Sequence, residues 1–215
     1  MKGKEGSGAA SSFRQTLENP EATSALIEAG DKAVEHFTDL AGEVPILKWI
    51  VAAGKTVSSV RDYFLVKRIA AFLADFQAIS PEKRRVVIDR LDREPEFAKR
   101  AAEAVLTLLD RVDSEVKAVW VSRGLRAYAA GLVTSAQLMR LNWAIERLLI
   151  CDAREIVSAF EWVRAEPRRI WGQSPYALAA LSVGLASFDA KWEEGATRPT
   201  ELCELFVRHI WKPND

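Results

Sequence analysis

The sequence predicts a mostly α-helical protein: a multi-helix bundle followed by a small C-terminal helix–hairpin–helix unit laid out like a winged helix. Three observations carry that class. Apolar residues recur at helical spacing in nearly every segment as far as Val163. Cap-then-proline pairs, Asn19-Pro20, Ser80-Pro81 and Ser174-Pro175, open successive segments. One short alternating stretch, residues 188–200 with a Glu-Glu-Gly turn inside it, is the single place for β-structure. The expected division is a flexible tail over 1–18, the helical bundle over 19–166 and the C-terminal unit over 167–215.

Residues 1–18 combine Gly, Ser, Ala and charge, which predicts a tail, because so polar a segment buries too little to offset the entropy of ordering it. Asn19 then caps a helix with Pro20 in its first position and Leu26, Ala33 and Phe37 on its inner side. Gly42 and Pro45 end it and lead into the stretch 44–79, around which the chain is organised. In its first half Ile46, Ile50, Ala53, Val57, Val60 and Phe64 share one face, opposite Lys48, Lys55, Ser59 and Asp62. In its second half the stripe is Leu65, Ile69, Phe72, Phe76 and Ile79, rotated by roughly a quarter turn. Arg68 and Asp75 then point where the chain was apolar before. A long helix touching two layers would produce this, as would a break near Gly54 or over 60–64. Gly54 favours the break, since it costs about 1 kcal/mol relative to Ala within a helix.

Ser80-Pro81 opens the next helix, with Val87, Ile88 and Leu91 inward. Pro95 restarts the chain, and Phe97, Ala101, Val105, Leu108 and Val112 line a core-facing stripe. From Ser114 a helix carries Val116, Val119, Trp120 and Leu125 and stops near Gly131. Thr134 and Gln137 form a capping box for a helix whose inner face is Leu138, Leu141, Ala144, Ile145 and Leu148. Asp152 is expected to cap a further helix holding Ile156, Phe160 and Val163. After Glu166 come Pro-Arg-Arg, Trp171-Gly172, a helix capped by Ser174, the hairpin, and a terminal helix capped by Thr200. Leu178, Leu181, Leu185, Leu202, Leu205 and Phe206 are more apolar side chains than so short a unit buries alone. It is therefore expected to pack against the bundle or a partner.

Lys plus Arg number 30 and Asp plus Glu number 30, so no global charge steers the chain toward nucleic acid or anionic lipid. Cys151 and Cys203 sit in apolar-periodic segments and read as reduced, buried thiols. The N-terminal MKGKEGSGAASS has no apolar core of a secretion signal, and no run of about 18 apolar residues offers a spanning helix. The expected location is cytoplasmic, with peripheral association at a membrane left open.

No catalytic arrangement emerges, and the chain is expected to be a non-enzyme without cofactor or metal. Gly54-Lys55-Thr56 imitates the end of a phosphate-binding loop, but the glycine required five residues earlier is Trp49. His36 and His209 have no ligating neighbour at i+4, and Cys203 lies six residues from His209, across a helix. Asp110, Asp113 and Glu115, with Glu103 one heptad earlier, could do acid–base work or hold a cation. The interleaved Arg111 and Lys117 make a solvated, salt-bridged turn the better reading.

Two surfaces admit a functional reading. One is the first half of the central stretch: Ile46, Lys48, Trp49, Ile50 and Lys55 have the arrangement of a helix in a partner groove or a membrane interface, or of a core helix. The other is the C-terminal unit, where Arg164, Arg168 and Arg169 would contact nucleic acid. Asp189, Glu193 and Glu194 on the hairpin would repel phosphate, which favours a protein-docking or structural use.

Over residues 44–156 the order VPIL…GK…SVRDYFLVKRIAAFL…ISPEKR…IDRLD…LLDRVD…AYAAGLVT…LMRLNWAIERL resembles a set of bacterial helical proteins carried near phage-defence or mobile genes. The resemblance implies a defence role and assigns no residue a task. Two readings follow. One is a non-enzymatic interaction protein of antiphage defence, acting through a neighbour-encoded protein partner or at a membrane surface. The alternative is a DNA-binding transcriptional regulator using the winged-helix-like unit.

Overall fold

A computed structural model describes residues 5–29, 40, 42–52, 60–165, 171–172, 174–188 and 197–213. These residues are mostly helical, with one two-stranded antiparallel sheet, as the apolar spacing predicts. Contacts group the chain into two compact units, Met1–Ala130 and Gly131–Asp215. The expected boundary at residue 166 is thus displaced: the helix before it packs on the helix after it and belongs to the second unit.

The first unit contains α1 (Glu5–Glu18), α2 (Pro20–Ala29), α3 (Pro45–Ala52), α4 (Val60–Gln77), α5 (Pro81–Arg93), α6 (Pro95–Arg111) and α7 (Glu115–Ala129). The expectation of a flexible tail over 1–18 is corrected by α1. Phe13, Thr16 and Leu17 follow helical spacing and are buried against α3 and α6. That burial supplies the free energy that polar composition alone seemed to withhold. The Gln77 side-chain amide donates to the Leu17 carbonyl at 3.2 Å, satisfying one of the terminal carbonyls of α1. Asn19 then caps α2, its Oδ1 accepting from the Glu21 N–H at 3.0 Å.

Helices α4 and α7 form the main packed pair of this unit. Leu65, Ile69, Phe72 and Phe76 are buried along α4, and Trp120, Val121 and Leu125 along α7. Phe64 stands 51% exposed, so the inward stripe of α4 begins at Leu65, and Phe64 does not share the buried side of Ile46 and Ile50 as the sequence expects. Arg61, Arg68 and Asp75 stand at heptad spacing and each reaches across to a neighbour. Arg61 pairs with Asp110 of α6 at 2.6 Å. Arg68 Nη1 donates to the Val112 carbonyl at 2.5 Å. Asp75 meets Arg126 at 2.8 Å and Arg123 at 3.4 Å, both on α7. The charged row that looked misplaced on the helical wheel is therefore a set of partners fixing the register of α4 against α6 and α7. A second clamp joins α5 to α7: the Tyr128 hydroxyl donates to Glu94 at 2.8 Å, while Arg90 pairs with Glu94 at 2.7 Å and lies 5.1 Å over the Tyr128 ring.

The second unit holds α8 (Ser135–Arg147), α9 (Ile150–Ala165), α10 (Pro175–Ser182), β1 (Ala186–Phe188), β2 (Thr197–Pro199) and α11 (Glu201–Leu205), which runs into a π turn, Phe206–Ile210. The predicted capping box closes α8: Thr134 accepts from the Gln137 N–H, and the Gln137 side chain accepts from the Thr134 N–H at 2.8 Å. Asp152 does not cap α9. The helix begins at Ile150, which places this carboxylate in the first turn, where the helix dipole favours it. After α10, Gly184 at φ 77 permits a C-terminal turn in which Leu185 N–H bonds the Ala180 carbonyl at 2.8 Å and Gly184 N–H the Leu181 carbonyl at 3.1 Å.

That turn delivers the chain into the hairpin, paired Ala186 to Pro199, Ser187 to Arg198 and Phe188 to Thr197. Two strands alone would be marginal. Here Ala186 and Thr197 are buried, and both strands touch α10. The Trp171 N–H donates to the Thr197 carbonyl at 3.1 Å, and Thr197 Oγ1 donates to the Gly172 carbonyl at 2.8 Å. Thr200 caps α11, accepting from the Cys203 N–H and donating to the Gly184 carbonyl at 2.9 Å.

Candidate functional site

Helix α3 carries most of the surface that the sequence nominated for contact. Its residues Pro-Ile-Leu-Lys-Trp-Ile-Val-Ala bury Ile46, Leu47 and Ile50. The cover is α1. Thr16, itself buried, accepts from the Ile46 N–H at 2.9 Å and donates to the Ser12 carbonyl at 2.8 Å. A residue assigned to a tail thus caps the first turn of α3 from outside that helix. Ile46 and Ile50 are core, which corrects their assignment to a contact surface. Their apolar face is buried within the first unit, where α3 packs on α1. Lys48 is exposed. The Trp49 side chain, Lys55 and the whole Gly-Lys-Thr motif lie outside the described residues.

Two carboxylates near the α6–α7 junction are paired with cations. Asp110 holds Arg61, and Asp113 holds the Lys117 ammonium at 2.9 Å. The Lys117 side chain is 1% exposed and Asp113 is 60% exposed, so a buried ammonium is held by a carboxylate that itself faces solvent. The arrangement is that of a salt-bridged turn. Burial lowers the pKa of Arg68 beside it, with Asp110 opposing that effect. Among the described residues no group of three His, Cys, Asp or Glu is placed to hold a metal ion.

His36 lies outside the described residues. His209 sits half-buried in the π turn, its pKa lowered by burial and by neighbouring Arg208. Both cysteines are free. Cys203 is fully buried, and burial pushes its thiol up to about 12, which makes it a poor nucleophile. Cys151 is exposed, contrary to its expected burial, because it falls on the outer side of the first turn of α9.

In the second unit Arg164 is exposed and sits 3.7 Å from Glu161. Arg168, Arg169, Asp189, Glu193 and Glu194 lie outside the described residues. The helix that precedes the hairpin, α10, reads Pro-Tyr-Ala-Leu-Ala-Ala-Leu-Ser and presents Leu178 at 53% exposure. It has no Lys, Arg, Asn or Gln with which to read a base edge or hold a phosphate. The outer face of α8 is apolar as well: Met139 is 73% and Trp143 43% exposed. The sequence does carry a signal for this stripe, since Met139 and Trp143 are spaced i, i+4 on the side opposite the inner face. It was hidden because the same spacing ordinarily marks a core.

No helix among the described residues is long and apolar enough to cross a membrane. No protein-family model, curated protein or solved structure matches the chain.

Proposed function

We propose that this chain is a non-enzymatic interaction protein of bacterial antiphage defence, working through a protein partner. One observation carries the reading. Of the eleven large apolar side chains that stand exposed among the described residues, seven belong to the second, shorter unit, including Met139, Trp143, Trp162, Leu178 and Phe188. Scattered exposed apolar residues are ordinary on any surface. Concentration on one small unit, with tryptophan and methionine among them, is the composition of a protein interface. The sequence resemblance over 44–156 supplies the defence setting. Burial of Ile46 and Ile50 leaves the membrane-surface version without support from that face.

The DNA-binding regulator is the second reading, favoured by the order helix α10, hairpin, helix α11, which follows that of a winged helix. The apolar exposed surface of α10 argues against it. Two measurements test the proposal. In host cells the gene should lower phage plating efficiency, and Leu178→Glu with Phe188→Glu should restore plating at unchanged protein level. With purified full-length chain, an electrophoretic shift assay at low and moderate salt should give no retarded DNA. Salt-sensitive, sequence-preferring retardation would move the assignment to a regulator. Loss of protection from Asp110→Ala, Asp113→Ala or His209→Ala, with melting temperature unchanged, would overturn the non-enzyme reading.

A further inference from the structure

We infer that the outer face of α8, built from Met139, Arg140, Trp143 and Arg147, docks an acidic amphipathic helix of a partner protein; the inference rests on the interaction reading above and names its surface. The inner face of α8 is already committed, with Leu138, Leu141, Ala144 and Ile145 buried, so the outer stripe has no role in the core of its own unit. Met139 and Trp143 stand one turn apart on that outer side and are both exposed. Arg147, one further turn along, lies with its guanidinium 4.9 Å from the centre of the Trp143 ring. That stacking restrains the indole before any partner arrives, which lowers the entropy lost on binding.

The first turn of α8 is held in two ways. The Thr134–Gln137 capping box fixes its start, and the Gln137 amide donates to Glu201 of α11 at 2.9 Å. A rigid helix presenting two apolar anchors at i, i+4 matches the anchor spacing of one opposing amphipathic helix. The charge beside the anchors selects its sign. Arg140 and Arg147 are exposed on the same side of α8, whereas the one carboxylate of α8, Glu146, is half-buried and already engaged. Aspartate or glutamate flanking the partner's apolar stripe would therefore be attracted, and a basic partner repelled. A lipid surface fits less well, because an interfacial helix sinks a broad apolar face into the headgroup layer and here the opposite half of the helix is core. A second copy of the chain would bring arginines against arginines.

The test uses the purified full-length chain and a fluorescent synthetic helix of about 16 residues, long enough to approach stable helicity, with leucines at i, i+4 and i+7 flanked by glutamates. Controls are a scrambled peptide of the same composition and vesicles of phosphatidylglycerol and phosphatidylcholine. Anisotropy should show the amphipathic peptide binding at least tenfold more tightly than the scrambled one. Met139→Glu with Trp143→Ala should remove that preference, and Arg140→Glu with Arg147→Glu should remove it while leaving the circular dichroism spectrum unchanged. Equal binding of both peptides, unaltered binding by either variant, preferential flotation with vesicles, or self-association through this face in sedimentation would each overturn the assignment. Phage protection retained by the Met139→Glu, Trp143→Ala variant would refute this surface while leaving the interaction reading intact. Protection lost in the Leu178→Glu, Phe188→Glu variant alone would lead to the same conclusion.

Discussion

Replacing Asp75 by Ala tests the physical account of the first unit most directly. The Asp75 side chain is 11% exposed, Arg123 7% and Arg126 16%, so the two guanidiniums share one carboxylate in a nearly dry space between α4 and α7. Burial lowers the pKa of Arg126, Asp75 works in the opposite direction, and Arg123 adds to the lowering. Removing the carboxylate takes from two largely buried guanidiniums the counter-charge they share. Losing one partner of a buried pair costs about 3–5 kcal/mol, and the residual exposure here places the expectation near ~3 kcal/mol. A loss of that size lowers the melting temperature by about 10–15 °C for a unit of this length. The assay is urea denaturation of the full chain, with hydrogen exchange in α4 and α7 peptides identifying the transition of the first unit. Arg61→Ala is the internal comparison: Arg61 is 70% exposed, and such a pair contributes about 0–1 kcal/mol. A measured cost for Asp75→Ala no larger than that for Arg61→Ala would refute the idea that the charged row on α4 fixes its packing.

Leu17→Ala should destabilise the first unit by about 2–5 kcal/mol as a cavity opens between α1 and its neighbours, and amide exchange in α3 should accelerate; a neutral result would return 1–18 to a dispensable tail. Gly184→Ala should cost about 1 kcal/mol or more, because φ 77 strains any side chain although nothing crowds the site; thermal melts of the second unit read this. With Ellman's reagent at pH 8, Cys151 should react within seconds and Cys203 only on unfolding. The pH dependence of that buried thiol has a defined sign. Its pKa rises from 9.0 to about 12 on folding, so the folded state holds the proton longer and stability falls as pH climbs from about 9 toward 12, with no contribution to pH dependence below that window. A Cys203→Ala variant should flatten that limb of the profile.

The boundary between what sequence patterns reveal and what they conceal runs through particular residues. The capping box at Thr134 and Gln137, the caps at Asn19, Ser174 and Thr200, and the stop at Gly131 were all legible, because each depends on atoms within four residues of one another. The second-half stripe in 44–79 was legible for the same reason, with Leu65, Ile69, Phe72 and Phe76 all buried, whereas Phe64, read on the face of Ile46 and Ile50, is exposed. The α1 helix was concealed. Its composition is that of a tail, and its order comes from burial of Phe13 and Leu17 where α1 meets α3, α5 and α6, all distant along the chain. The contact reading of Ile46 and Ile50 failed with it, since a helical wheel shows that a face is apolar and says nothing about what covers it. The exposed stripe on α8 is the converse case, apolar spacing with no cover inside its own unit.

The sequence by itself determined the helical class, the starts and stops of most helices and the position of the hairpin, because hydrogen bonds between near neighbours and the period of the apolar residues are local properties of the chain. Only the tertiary structure decided that Thr16 caps α3, that Arg61, Arg68 and Asp75 are register partners and not a surface, and that the outer face of α8 stands open. Those outcomes depend on which faces meet, a competition among desolvation, charge pairing and packing that no window of consecutive residues contains.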